Sequence, residues 1–283
     1  MEVLRRELDT DIRLAARGGM SVLIAGERGA GKQYAARLVH GWSRRSQAPF
    51  VTARCTADAP FEFELFGRAE GSFSETSGDT ICRLQGAEGG SLVLEEVGEI
   101  SQHLQRRLLR FLEVGLLERS DHPPRAVDVR VIATATQPLL ERVVAREFLE
   151  DLYYRLNVIH IRVPPLRERR EEIPLVTAQI LRDLAEGRRS SVPQLAPATM
   201  AFLQAYNWPG NVRELRDVLE SLLVSSRTAL VEPGDLPPRI VRQSQHGLGP
   251  VNPSAPGNAF EALAPRETRA DTSPHSGQRF ADR

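Results

Sequence analysis

The chain has 283 residues, the length of about two domains, and is 41% hydrophobic and 26% charged, which is ordinary for a soluble globular protein and enough for a sizeable core. Its 37 basic and 37 acidic residues cancel, which excludes a general cationic coat for nucleic acid or anionic lipid. Two cysteines, Cys55 and Cys82, exclude a disulfide framework and a four-cysteine zinc site and suggest a reducing compartment. The longest apolar runs, such as Met20 to Ala25, fall far short of the roughly 18 residues that span a bilayer. The start Met-Glu-Val-Leu-Arg-Arg-Glu is no signal peptide, so a cytoplasmic protein without a membrane partner is expected.

Residues 1–165 alternate short β-branched or leucine-rich runs with helical patterns, the rhythm of an α/β fold with a parallel sheet flanked by helices. The first run, Ser21 to Ala25, leads into Gly26-Glu27-Arg28-Gly29-Ala30-Gly31-Lys32 and a helix from Gln33 to His40. In such a G-x-x-x-x-G-K loop the glycines let backbone N–H groups curl around phosphate oxygens. The helix N-terminus adds positive potential, and the lysine reaches the β- and γ-phosphates. Lys32 is the single lysine among 37 basic residues. A chain that uses arginine everywhere else keeps an ammonium where a guanidinium does not fit. Gln33 stands where the general pattern has a Mg2+-binding Ser or Thr.

A second strand is expected over Phe50 to Ala53 and a third over Ser91 to Leu94, which runs into Glu95 and Glu96. Beside a phosphate loop, the first acid at such a strand end helps hold Mg2+ and the second can polarise an attacking water. Val127 to Ala133 predicts a fourth strand, with Thr136 just beyond it at the edge where phosphates lie. Asp151 to Arg155 reads as a short helix carrying an arginine, and Val158 to Val163 as a fifth strand, after which Pro164-Pro165 ends the α/β rhythm. Residues 166–240 are helical only, a small all-α lid. In Asn211 to Leu223, Val212, Leu215, Leu219 and Leu222 share one face. Asn211, after Trp208-Pro209-Gly210, is placed as the N-cap of that helix. Residues 241–283 lack aliphatic periodicity and read as a disordered tail.

The strings GERGAGKQ, ELFGRAEGSF, GGSLVLEEVGEI, LQRRLLRFLE, VDVRVIATAT, FLEDLYYRLNVI, PPLRERREEI and WPGNVREL, in this order, resemble the central AAA+ ATPase domain of the bacterial enhancer-binding proteins. These are the activators of sigma-54 RNA polymerase. The resemblance covers residues 1–240 and implies a P-loop NTPase core with a helical lid. It also implies a ring, often hexameric, with ATP and Mg2+ between subunits, and a loop that couples hydrolysis to remodelling of the sigma-54 holoenzyme. Carried over by residue, it assigns Gly26 to Gln33 to the nucleotide and Glu95 to the metal. Glu96 would activate water, Thr136 would be the first sensor, Arg155 the arginine finger supplied to a neighbour and Arg213 the lid sensor.

This sequence departs from the family at Glu95 for Asp, Thr136 for Asn, Leu149 for one of two candidate finger arginines and Arg54 for the asparagine that restrains the catalytic glutamate. Slow or conditional hydrolysis is the expectation. The coupling motif aligns with Gly71, Ser72, Phe73, Ser74, Glu75 and Thr76, which keeps Gly71 and Phe73 but replaces the second glycine by a carboxylate-bearing residue. A glutamate resists conformations that glycine permits and adds charge to a docking tip. Three readings stay open: action on sigma-54 polymerase, modulation of a related activator's ring without catalysis, or remodelling of another target. No helix-turn-helix pattern is legible after Ile240, so no DNA-binding domain is expected in this chain.

Overall fold

The computed structural model describes residues 2–67, 81–119, 122–188, 192–225 and 230–248. The expected coupling loop, Gly71 to Thr76, lies outside the described residues, as does the chain from residue 249. The first part of the chain runs α1 (Glu2–Arg17), β1 (Val22–Ala25), α2 (Lys32–Gly41), β2 (Phe50–Arg54), α3 (Ala59–Phe66), α4 (Arg83–Gly86), β3 (Ser91–Glu95) and α5 (Gln102–Val114). It continues with β4 (Leu116–Arg119), β5 (His122–Ala126), β6 (Arg130–Ala135), α6 (Leu139–Val144), α7 (Glu150–Leu156) and β7 (Ile159–Arg162). The lid holds α8 (Ile173–Arg188), β8 (Gln194–Leu195), α9 (Pro197–Ala205), α10 (Asn211–Ser225), β9 (Leu230–Val231) and α11 (Pro238–Leu248).

Five strands form one parallel sheet in the order β2-β3-β6-β1-β7. The central strands are apolar on both faces because helices cover both faces. Leu23, Leu92, Leu94, Val131 and Ala133 point into a core shared with α3, α5 and α7. Val22, Ile24, Val93 and Ile132 point the other way, toward α1 and α2. The period of two along each strand thus divides one apolar run between two cores.

The expected strand from Val127 begins later, at Arg130, because the preceding residues belong to a corner. The Val127 N–H donates to the Gly115 carbonyl and so continues the ladder of an antiparallel β4–β5 hairpin. That hairpin is absent from the sequence reading, since Pro123-Pro124 argue against a strand. Among the described residues the ribbon has only these two strands, so each is an edge strand, where proline is tolerated.

In the lid, Leu215, Leu219 and Leu222 of α10 are buried as the periodicity predicts, with Val212 packed at the margin. Trp208 is fully buried beside them; its indole N–H donates to the Leu203 carbonyl at 2.7 Å and its ring meets Tyr206 edge-on. A two-residue parallel ladder, β8 to β9, ties the lid's outer loops together. Helix α11 continues past the expected boundary at Ile240 to Leu248, and Val241 packs on the lid core. An aliphatic pair, Ile240-Val241, anchors this turn although the sequence around it is polar.

Candidate functional site

The phosphate loop leaves the central strand β1 and is pinned on both sides. The Gly26 N–H donates to the Ala135 carbonyl of β6, and the Val163 N–H after β7 donates to the Ala25 carbonyl. Gly29 has φ 74°, and a β-carbon there would lie 2.3 Å from the Gly210 carbonyl oxygen of the lid, so only glycine lets lid and loop close together. The loop's carbonyls, meanwhile, collect cations and amides.

Lys32 opens α2 and is only 8% exposed. Its ammonium donates to the carbonyls of Gly26 (2.8 Å) and Glu27 (3.3 Å) and to the Thr136 hydroxyl (2.6 Å), and it lies 3.1 Å from Glu96 Oε1. Glu96 follows β3 with φ 58°, a left-handed backbone held by donation of its N–H to the Thr134 hydroxyl. That turn aims the carboxylate across the strand ends at Thr136, whose N–H donates to Oε2 (2.9 Å) and whose hydroxyl donates to Oε1 (2.8 Å). Glu95, one residue earlier, accepts a hydrogen bond from the Gln33 amide. Residues predicted from three separate segments therefore converge on the carboxyl edge of the sheet, the crevice where α/β proteins bind ligands.

Mg2+ keeps several waters and uses one or two carboxylates plus substrate phosphates. Glu95 at the end of β3 meets that demand as a single carboxylate beside the phosphate loop. Among the described residues there is no cluster of three His, Cys, Asp or Glu that could hold a metal by itself, so the metal fits here only together with nucleotide phosphates.

The lid is bolted to the loop by residues that sequence reasoning assigned otherwise. Asn211 is not an N-cap: it is fully buried with φ 53°, its Oδ1 accepts from the Leu166 N–H, and its Nδ2 donates to Glu27 Oε2 and to the Arg28 carbonyl. Glu27 was expected at the nucleotide, but its carboxylate turns to the lid linker and accepts two hydrogen bonds from Arg167 (2.6 and 2.8 Å). Arg169 donates to the Ala30 carbonyl and to Glu172, and burial pushes its guanidinium below the usual arginine range. Arg213 is exposed on α10, with its β-carbon 3.0 Å from where a Gly29 β-carbon would be. Arg167 and Arg169 sit in the charge run Leu166 to Glu172, for which the sequence predicts no site role. The one available signal was an asparagine after a Trp-Pro-Gly turn, with a flanking Trp and Arg that capping does not explain.

Hydrogen bonds from Arg167, then from Asn211, hold the Glu27 carboxyl at about 2, well below its ordinary value. A carboxyl depressed in the folded state contributes stability that is complete above the unfolded value, near 4.5, and is lost as pH falls toward 2. Arg162 also faces this carboxylate, while Glu168 pairs with Arg162. Glu27→Gln is expected to flatten the acid limb of the thermal stability profile between those values, and an unchanged acid limb contradicts the clamp.

Arg155 lies at the other end of the sheet. Its guanidinium donates twice to the Leu112 carbonyl (3.2 and 2.8 Å). With Met20, Ser21, Arg130 and Val158, residues at the strand starts, it lines a cavity of about 330 Å³. Leu149 packs against the core beneath α7, and its N–H donates to Gln105, so it presents no cation. Arg54 is exposed at the end of β2, opposite Glu95 in register.

The Sigma-54 interaction domain family matches residues 3–162, and the AAA+ ATPase lid domain family matches residues 167–250. The regulatory protein AtoC of Escherichia coli is 40% identical over 242 residues, which are 84% of this chain and 52% of AtoC. The transcriptional regulatory protein ZraR of Escherichia coli is 40% identical over 235 residues, 82% of this chain and 53% of ZraR. The chain thus spans about half the length of these curated relatives. Among solved structures, NtrX from Brucella abortus in complex with ATP superposes with a TM-score of 0.74 at 32% identity, covering 86% of this chain and 58% of that one. Among the described residues no helix is long and apolar enough to cross a membrane. Parallel sheet, phosphate loop, helical lid and family match agree: the chain belongs to the Sigma-54 interaction domain family of AAA+ P-loop proteins.

Proposed function

We propose that this chain binds and hydrolyses ATP, with Mg2+ as the metal, in a ring of like subunits that serves sigma-54-dependent transcription control. The main support is the convergence of Lys32, Glu95, Glu96 and Thr136 on one strand edge beside the phosphate loop. The glycine loop and the N-terminus of α2 present N–H groups to phosphate, Lys32 supplies a fixed positive charge, and Glu96 orients and deprotonates water. Glu95, at the end of β3 beside the phosphate loop, would hold Mg2+ together with the nucleotide phosphates, and the metal would supply charge neutralisation there. Arg213 reaches the same nucleotide from the lid.

Ring assembly is supported by where Arg155 is. It borders the strand starts while Lys32 borders the strand ends, so Arg155 lies away from its own subunit's phosphate loop, which supports a role at a neighbour's site. A six-membered ring and the sigma-54 holoenzyme as target follow the family resemblance. Slow turnover is expected, because Leu149 leaves Arg155 as the sole cation of the usual pair. Arginine fingers contribute about 10³–10⁵ in rate. Arg155→Ala should therefore be nearly inactive alone, and it should recover ATP hydrolysis when mixed with a subunit that lacks Glu96 but keeps Arg155.

A further inference from the structure

The alternation of side chains along β2 and β3 decides which of them stand over the start of α2. On β3, Ser91, Val93 and Glu95 share the face that meets this helix: the Ser91 hydroxyl lies 2.9 Å from His40 Nδ1, Val93 is buried with Ala35 and Val39, and Glu95 accepts from the Gln33 amide. Strand β2 runs parallel beside it, with Phe50 opposite Ser91, Thr52 opposite Val93 and Arg54 opposite Glu95. Phe50 packs on the same core as Val93 while Ala53 belongs to the opposite one, so Arg54 emerges on the α2 side, next to Glu95. Neighbouring strands lie about 4.8 Å apart, less than the length of an extended arginine side chain, so the guanidinium can cross to the space in front of Glu95. Among the described residues it is exposed and has no hydrogen-bond or ion-pair partner, whereas Arg167, Arg169 and Arg170 of the lid linker are all engaged.

Charge at these strand ends is otherwise weighted toward the acids, since Glu95 and Glu96 stand beside a single ammonium, Lys32. ATP is more negative than ADP by its γ-phosphate, so a site with this balance needs a further cation to prefer ATP. Leu149 presents none, and Arg155 lies at the strand starts. Resting on the reading of the phosphate loop as an ATP site, we propose that Arg54 is a γ-phosphate ligand supplied by the same subunit, and that it sets the preference for ATP over ADP. A guanidinium suits this role because its planar fork matches two oxygens of one phosphate. Strands β3 and β6 separate β2 from the phosphate loop's own strand, so Arg54 is placed for the outermost phosphate and not for the inner two.

The test is calorimetric titration of the full chain, in the presence of Mg2+, with ADP and with the non-hydrolysable β,γ-imido analogue of ATP. Wild type is compared with Arg54→Gln, Arg54→Lys and, as a control for net charge, Arg106→Gln on the exposed face of α5. Loss of a hydrogen bond between charged partners corresponds to about a tenfold change, so Arg54→Gln should bind the ATP analogue about tenfold more weakly while ADP stays within about twofold of wild type. Lysine keeps the charge but loses the fork, so Arg54→Lys should fall between wild type and Arg54→Gln. Arg106→Gln should leave both affinities at their wild-type values, and unchanged circular dichroism shows that Arg54→Gln is folded. Equal losses for the two nucleotides, no loss for either, or a loss that Arg106→Gln reproduces overturns the γ-phosphate contact and leaves nucleotide binding in place. Wild type that binds neither nucleotide overturns the ATP reading itself, and the role of Arg54 with it.

Discussion

Glu96→Gln lowers steady-state ATP hydrolysis by about 10²–10⁴-fold while ATP stays bound, because the amide keeps the shape of the carboxylate but cannot take a proton from water. The turn is expected to survive. The Glu96 N–H still donates to Thr134, and the amide oxygen still accepts from the Thr136 N–H or hydroxyl. What disappears is the negative charge 3.1 Å from the Lys32 ammonium. ATP affinity should hold or rise, so turnover falls without a loss of binding. A variant that loses both in proportion would mean that Glu96 supports the loop rather than the reaction. Equilibrium binding followed by phosphate release on the same preparation decides between the two.

Trp208→Ala destabilises the lid by about 3–5 kcal/mol, the range for deleting a buried aromatic side chain. The residue is fully buried, fills the centre of the lid core with Leu203, Leu215 and Leu219, and stacks edge-on with Tyr206 at 5.0 Å. Its removal also leaves the Leu203 carbonyl without its indole donor. The sheet cores contain none of these residues, so urea unfolding should split into an early lid transition and a later transition of the α/β core. Since Asn211 and Arg167 fasten the lid to the phosphate loop, nucleotide affinity should fall with the first transition. A single transition displaced by less than about 1 kcal/mol would mean that the lid does not depend on this ring.

Much of the architecture is legible because it depends on local patterns. Buried parallel strands are short apolar runs, and the phosphate loop is a contiguous string whose glycines have mechanical reasons to be there. Hence the strands at Val22, Phe50, Ser91 and Ile159 and the helix at Lys32 fall within a residue or so of their expected starts. Long-range contacts set what was not legible. Asn211 has the composition and position of a helix cap, but tertiary contacts to Leu166, Glu27 and Arg28 take both of its amide donors and engage its oxygen. Glu27 lies inside the loop motif, yet an arginine 140 positions away takes its carboxylate. The β4–β5 hairpin hides behind two prolines that a ribbon edge accommodates. No spacing rule shows that Thr136, Glu96 and Lys32 engage one another, because that depends on the strand order β3-β6-β1.

Under the proposed function, hydrolysis needs two subunits, one giving Lys32 and Glu96 and its neighbour giving Arg155. Mixing Arg155→Ala with Glu96→Gln in equal amounts tests it directly. Each variant alone is expected to be near background, while a random mixture rebuilds about a quarter of the complete interfaces and should regain about that share of the wild-type rate. A mixture that hydrolyses ATP no faster than the sum of its two parts would contradict the shared site and return Arg155 to a structural role at the sheet's amino edge.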